Sequence, residues 1–485
     1  MKVYSFPRLR RALLLFSVVS AFAPASAISL WSLVPASGYR NNSNGSLNNV
    51  GSNGYVWLSS ANSQNNAYNL NFNSSNVNPQ NNNNRANGYS VRPVQAFMGG
   101  TEGFSIYTIM KLGKSMLDAL LMQAYLDARQ NERNKNAALA YELDLESNLR
   151  TLRESLWNKT YRPDPPMCFI IDTPREVFAS RFRDRIVSHL LFNMLAPLFE
   201  PLFIYDSYSC RKGKGTLFGV KRLEKHLRSC THNYTKRAYV LYLDISGYFM
   251  SINKGVLYNI ICTEMQKHAE KWGKEIDYKF VDYLLRVIIF RDPTDGCIRI
   301  GDPKKWEKLP RHKSLFYSQV GCGLTIGDVT SQLFSNIYLN PLDHFIKREL
   351  KCRYYGRYVD DKRVVSNDKR ELIRVAVAVD SFLKNRLGLH LNHKKTKIVR
   401  ADRVVSFLGV EIREGKMYAT DESIRKFAGK AYIGQNLSVL NSYLGYLKHF
   451  RTEKSCKKIT LPLLESGVYI ENSNNNSLIL NPNLV

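Results

Sequence analysis

The first 100 residues contain no aspartate or glutamate; Glu102 is the first acid of the chain. An acid-free stretch of that length is unlike the surface of an ordinary soluble enzyme, whose charges are mixed. The eight cysteines are scattered, with no C-x-x-C pair and no His/Cys cluster at zinc spacing. That argues against a disulfide framework and a structural zinc site, and for a reducing compartment. No apolar run reaches the length needed to cross a bilayer. What the chain has in excess is positive charge: 69 Lys and Arg against 41 Asp and Glu, a net +28 over 485 residues. Such an imbalance favours a polyanionic partner.

Composition shifts near residue 100. Between residues 41 and 87, 19 of 47 positions are Asn, in runs such as Asn81-Asn82-Asn83-Asn84. Low-complexity tracts of this kind are commonly disordered. Yet Gly38-Tyr39-Arg40, Gly54-Tyr55, Trp57-Leu58-Ser59-Ser60 and Ser90-Val91-Arg92-Pro93-Val94 read as fixed turns and short strands, with asparagines filling the gaps. One residue type at every variable-looking position suggests selection on codons. Asn codons begin with two adenines, and changing those adenines yields many residues but never a stop, because every stop codon ends in a purine. Ahead of this tract, residues 1–30 resemble a secretory signal: Arg8, Arg10 and Arg11, an apolar stretch from Ala12 to Ala23, then Ala25-Ser26-Ala27.

From about Phe104 the texture is globular. Apolar residues at helical spacing (Leu117, Leu120, Leu121, Ala124, then Leu145, Leu149, Leu152, Leu156) predict two or more helices, stopped by Pro163, Pro165 and Pro166. Arg211-Lys212-Gly213-Lys214-Gly215 is a flexible cationic loop suited to phosphates. Tyr239–Leu243 is a compact buried-strand pattern ending in Asp244, an acid poorly solvated unless it binds something. Two β-prone runs flank Tyr358-Val359-Asp360-Asp361, predicting a hairpin with adjacent carboxylates at its tip. Such a pair is either a solvated acidic turn or a ligand for a divalent cation. With Asp244 it would form a three-carboxylate cage for two ions. Between the two sites, the glycine-rich turn Gly321–Asp328 opens a helix at Leu333–Ile346, a junction that lets backbone approach a base pair or phosphate. Lys394-Lys395-Thr396-Lys397 is a cationic loop able to protonate pyrophosphate, and Val405–Val410 a hairpin strand.

The order of these parts resembles the reverse transcriptase family over roughly residues 160–450. The resemblance implies an α/β (α+β) right-hand polymerase with fingers (104–240), an antiparallel-sheet palm (241–415), and a helical thumb and polar tail (416–485). It implies that Asp244, Asp360 and Asp361, with the Ile245 carbonyl, hold two Mg²⁺ (or Mn²⁺) ions. Lys395 would be the general acid, Arg175 would contact the incoming triphosphate, and Phe249 would be the steric gate against a ribose 2′-OH. Ile326, Gly327 and Gln332 would border the nascent base pair. Arg211, Lys212, Lys214, Tyr358 and the primer-grip run Phe407-Leu408-Gly409 would meet nucleic acid. Within the family, Ile326-Gly327-x-x-x-Ser331-Gln332, Leu309–Phe316 and Asn336–Asp343 are similar to reverse transcriptases of diversity-generating retroelements.

That resemblance gives the Asn-rich segment (31–97) a meaning, as translated template-repeat sequence with a C-type-lectin-like framework. The polymerase itself would then start at Met98 or Met110. Expected partners are template RNA, primer or cDNA, dNTPs and a small basic accessory protein, with no stable membrane association. The expected location is the cytoplasm, where dNTPs and RNA are. A retron or group II intron lineage, or a catalytically weak RNA-binding relative, is the alternative. Four features depart from the family pattern: Thr325 for proline, Asp328 for asparagine, no lysine shortly before Arg175, and Lys362 directly after the paired aspartates. A lysine there would sit against the palm core unless it snorkels.

Overall fold

The computed structural model describes five strands at residues 37–84 and, from residue 112 to 480, all residues except 131, 172–173, 273–275, 433–434 and 473–476. The chain divides into two units, Met1–Ile106 and Tyr107–Val485. In the first, β1 (Ser37–Arg40) and β2 (Leu47–Val50) form an antiparallel hairpin. A separate antiparallel sheet joins β3 (Gly54–Ala61), β4 (Asn66–Phe72) and β5 (Val77–Asn84). The asparagines are thus not confined to gaps, since β4 and β5 are themselves Asn-rich. The expected element at Ser90–Val94, and the signal-like segment, lie outside the described residues.

The second unit begins with α1 (Lys114–Arg129), α2 (Asn136–Glu142) and α3 (Leu145–Trp157). On α1, Leu117, Leu121, Ala124, Tyr125 and Ala128 recur at three- and four-residue spacing and are buried. Each fully buried leucine contributes about 2 kcal/mol. These helices pack around α4 (Phe182–Phe199), which buries Ile186, Val187, Leu190, Leu191 and Leu195 in the main core. Ahead of α4, β6 (Met167–Ile171) and β7 (Arg175–Ala179) pair antiparallel, and the short β9 (Ile298–Arg299) adds to β6 in parallel.

After α5 (Thr216–Cys230), β8 (Tyr239–Leu243) enters a four-stranded antiparallel sheet. Its other strands are β10 (Tyr354–Tyr358), β11 (Asp361–Ser366) and β12 (Lys397–Arg400), in the order β10-β11-β8-β12. Both faces are covered, so β8 alternates between two cores. Leu241, Leu243 and Ile245 join the core of α4, α6 (Lys254–Lys267), α7 (Tyr278–Ile289), α8 (Val329–His344) and α9 (Lys369–Phe382). Val240 and Tyr242 face a second core with α5, β13 (Val405–Phe407) and β14 (Val410–Arg413). Beyond β15 (Lys416–Ala419), α10 (Asp421–Ala428), α11 (Leu437–Leu447) and α12 (Glu453–Glu465) extend that second core through Phe427, Leu440, Leu447 and Leu463. This is the right-hand polymerase arrangement, with helices and sheets mixed as expected. Among the described residues no helix is long and apolar enough to cross a membrane.

Candidate active site

Register brings the acidic residues together. Lys362 pairs with Leu243 across β11 and β8, so the hairpin tip lies beside the residue that follows β8, Asp244. Asp361 pairs with Tyr358 across the turn, and Val359 at its apex has φ of +52°. A β-branched residue in the left-handed region is strained, and such strain persists only where surroundings hold it. Here Arg357 and Lys362, direct cross-strand partners, supply the hold. Arg357 Nη1 donates to the Val359 carbonyl at 3.1 Å, and Lys362 Nζ donates to the Asp360 carbonyl at 3.0 Å.

Arg357 and Asp343 are both fully buried and form a bidentate pair at 2.7–2.9 Å. Tyr355 Oη donates to the same carboxylate at 2.6 Å, and Arg357 also reaches Asn336 Oδ1 and Ser207 Oγ at 3.2 Å. Asn336 in turn donates to the Ser209 carbonyl. The block Asn336–Asp343 therefore builds a polar pedestal under the acidic turn. Sequence reading missed this role because its two charged members are 14 residues apart on different elements.

The carboxylates themselves strain one another. Burial pushes the Asp360 carboxyl above its ordinary range, Lys362 opposes the shift, and the charges of Asp244 and Asp361 add to it. Burial also raises Asp361, against the pull of Arg363 and with a push from Asp244. Asp244 accepts from Asn392 Nδ2 at 3.0 Å and from Lys395 Nζ at 3.2 Å, and its carbonyl accepts from the Asn392 amide. Ile245, the next expected ligand, is buried and bridges Leu391. Asp361 pairs with Arg363. With side chains engaged in this way, no group of three His, Cys, Asp or Glu among the described residues is gathered tightly enough to hold an ion. The donor set still fits a hard divalent cation: all oxygen, with two carboxyls destabilised as anions by burial and by each other.

Lys362 does not snorkel. It is fully buried, and burial pushes its pKa down to about 8 against the attraction of Asp360. Strand geometry gives the reason: Lys362 shares the face of Val364, which is covered by the main core. Arg363, on the opposite face, lies between the rings of Tyr242 (3.9 Å) and Phe407 (4.9 Å) and also donates to the Ser406 carbonyl at 3.1 Å.

Two of the expected nucleotide-binding residues, half-buried Phe249 and Ile326, meet in a satellite apolar cluster with Phe178, Met250 and Leu315. The Ile326 carbonyl accepts from the Phe178 amide at 3.2 Å, which seats the glycine-rich loop on β7. Gly327 follows with φ of +135°, and a Cβ there would lie 3.1 Å from the Phe178 carbonyl, so only glycine fits without strain. Two family departures meet each other here: Thr325 Oγ1 donates to Asp328 Oδ2 at 2.9 Å. Exposed Gln332 lines a cavity beside Gly327 with Val177, Arg185 and His189. Arg175 is exposed at the start of β7. Its neighbour Glu176 is fully buried and accepts from Ser314 Oγ (2.9 Å) and the Leu315 amide (2.7 Å). Burial raises the Glu176 carboxyl, and those two bonds restrain the rise. The Leu309–Phe316 block is thereby tied to β7.

The expected nucleic-acid contacts differ in how far the fold engages them. Arg211 turns inward, pairing with Glu200 at 2.7 Å and donating to the Ile204 and Ser207 carbonyls, so it braces its loop. Phe407 is buried under Arg363, and only Leu408 and Gly409, both at positive φ in the β13–β14 turn, reach towards the surface. Lys214 binds the Tyr205 carbonyl, with its pKa lowered to about 8 by burial and by Arg211. Lys212 is exposed, and half-buried Tyr358 receives the Thr216 hydroxyl at 3.5 Å.

Comparison with known proteins decides the family of this region. Residues 172–412 match the profile of "Reverse transcriptase (RNA-dependent DNA polymerase)". Those residues are a reverse transcriptase domain. The match includes β7, the acidic hairpin, β12 and the β13–β14 turn. A second profile, "Domain of unknown function (DUF8237)", matches residues 25–94. Protein YkfC of Escherichia coli (strain K12) is 23% identical over 315 residues, covering 58% of this chain and 73% of that protein. Among solved structures, telomerase from Candida albicans in complex with a fragment of telomeric RNA aligns at TM-score 0.39 and 10% identity, over 68% of this chain and 60% of that one. A truncated apo telomerase from Candida tropicalis aligns at TM-score 0.36 and 16% identity, over 48% and 44%. The chain thus spans about half the length of the solved telomerases it matches.

Proposed function

We propose that the chain copies RNA into DNA by two-metal nucleotidyl transfer, as the polymerase of a diversity-generating retroelement. The observation that carries the catalytic reading is the juxtaposition of Asp244 with the strained Asp360-Asp361 turn, buttressed by Arg357 and Lys362. Asp244, Asp360 and Asp361, with the Ile245 carbonyl, would hold two divalent cations, Mg²⁺ or Mn²⁺, which lower the pKa of a primer 3′-OH and offset charge on the triphosphate. Phe249 would close the sugar pocket against a 2′-OH, and Arg175 would meet the triphosphate. Lys395, whose side chain is 67% exposed and whose ammonium is 3.2 Å from Asp244, would give its proton to the departing pyrophosphate. Lys212, Lys214, Tyr358, Leu408 and Gly409 would line the path of template RNA and primer.

The retroelement subtype rests on two features. Ile326 lies in the same apolar cluster as Phe249, and its aliphatic side chain would remove a polar check on the nascent pair. The Asn-rich strands at the other end of the chain read as translated template repeat. A small basic accessory protein and a cytoplasmic location belong to the same proposal, as do the boundaries of fingers, palm and thumb. The test is to sequence cDNA made by the purified chain on a defined RNA. Errors concentrated opposite template adenines support the subtype, whereas an even error spectrum assigns the enzyme to a retron or intron lineage. DNA flanking the gene should also hold a near-copy of the stretch encoding residues 31–96, differing at adenines.

A further inference from the structure

The catalytic carboxylates face cations from the chain itself. Lys362 lies beneath the turn with its ammonium on the Asp360 carbonyl, Arg363 lies above the sheet against Asp361, and Lys395 reaches Asp244. Three carboxylates meet three cations, so the site is formally neutral. Two of those cations are fixed differently from the third. Lys395 stands on an exposed loop and can withdraw into solvent. Lys362 is fully buried between Leu243 and Arg357, and Arg363 is wedged between Tyr242 and Phe407 with a further bond to Ser406. The charge of neighbouring Arg357 is already matched by Asp343. Lys362 has no such dedicated partner: its ammonium donates to a carbonyl, and the negative charges acting on it are those of Asp360, Asp343 and Asp361.

We propose that Lys362 and Arg363 are built-in counter-cations that set how weakly the nucleotide-free site binds divalent metal. This rests on Asp244, Asp360 and Asp361 being the metal ligands. A divalent ion entering this site is attracted by the carboxylates but repelled by two cations that strand geometry prevents from leaving. A nucleotide triphosphate brings negative charge of its own, so the metal–nucleotide complex escapes that penalty. The site therefore discriminates in favour of metal that arrives with nucleotide. Arg363 adds a mechanical link, because the guanidinium that holds Asp361 also holds the backbone of β13 at Ser406.

The experiment titrates the full chain with Mn²⁺ in the absence of nucleotide, reading free Mn²⁺ by electron paramagnetic resonance. Lys362→Met and Arg363→Gln are each expected to bind Mn²⁺ about tenfold tighter than wild type, a modest result for removing a unit charge near a divalent ion in a half-buried site. Arg363→Lys, which keeps the charge, is expected to match wild type. Adding Asp360→Asn to Lys362→Met is expected to reverse the gain. Folded Lys362→Met and Arg363→Gln proteins with wild-type affinity would overturn the inference while leaving the metal ligands in place. Absence of Mn²⁺ binding in every variant would instead remove the ligand assignment itself, and the inference with it.

Discussion

Replacing Asp343 by Asn is the sharpest test of how the acidic turn is held. Asp343 lies on α8, is fully shielded from solvent, and accepts from Arg357 Nε and Nη2 and from Tyr355 Oη. Asparagine keeps the shape but leaves the Arg357 guanidinium buried without its counter-ion. Breaking one side of a buried pair costs about 3–5 kcal/mol. The effect should not stop at stability. Arg357 also holds the Val359 carbonyl, and a displaced turn moves Asp360 and Asp361 away from Asp244. Misplacement on the order of 1 Å is enough to lower turnover about 100-fold. Urea denaturation followed by tryptophan fluorescence gives the first quantity, and steady-state primer extension the second. The double variant Asp343→Leu with Arg357→Met removes both charges, and should be less destabilised than the two single changes summed by at least about 1 kcal/mol. Strictly additive losses, or Asp343→Asn within about 0.5 kcal/mol of wild type, would refute the pedestal.

Three further outcomes follow from other parts of the site. Gly327→Ala places a Cβ 3.1 Å from the Phe178 carbonyl at a φ of +135°, so it should cost about 1–3 kcal/mol and raise the KM for dNTPs more than it alters RNA affinity. On the proposed role of Ile326, Ile326→Gln would put a polar group against the nascent base pair and should lower misincorporation opposite template adenines in sequenced cDNA; an unchanged spectrum would contradict that role. Asp206 predicts a pH dependence. Burial alone would raise its pKa, but hydrogen bonds and charge from His226 and Arg222 outweigh burial and hold it well below the ordinary 3.8. Its stabilisation is then present above pH 3.8 and lost as pH falls through the lowered value. Asp206→Asn should cost about 2–4 kcal/mol at neutral pH, and thermal melts should show that deficit shrinking below pH 3.8.

Much of the frame was legible in the chain. The Tyr239–Leu243 run and its terminal acid announced β8, and the β-prone flanks of Tyr358–Asp361 announced the hairpin. Local pattern sufficed because both depend on residues adjacent in sequence. The pedestal was not legible, since Arg357 reads as an ordinary strand-flanking cation until α8 brings Asp343 beneath it. Lys362 and Arg363 illustrate the same limit. A period of two assigns them to opposite faces, but only the tertiary fold shows that one face is sealed by the main core and the other by Tyr242 and Phe407. Arg211 and Phe407 were read as contacts to nucleic acid from their surroundings in sequence, whereas Glu200 and Arg363 claim them in the fold. The pairing of Thr325 with Asp328 is a case where two departures from a family pattern are explained only by each other.

The central claim is that Asp244, Asp360 and Asp361 act together in RNA-templated DNA synthesis. Its most direct test is extension of a DNA primer on an RNA template by the purified chain with Mg²⁺ and dNTPs. Wild type is compared with Asp360→Ala and Asp244→Ala proteins of unchanged thermal stability. The account predicts extension by wild type and none by either variant. Wild type extending no better than Asp360→Ala would contradict it.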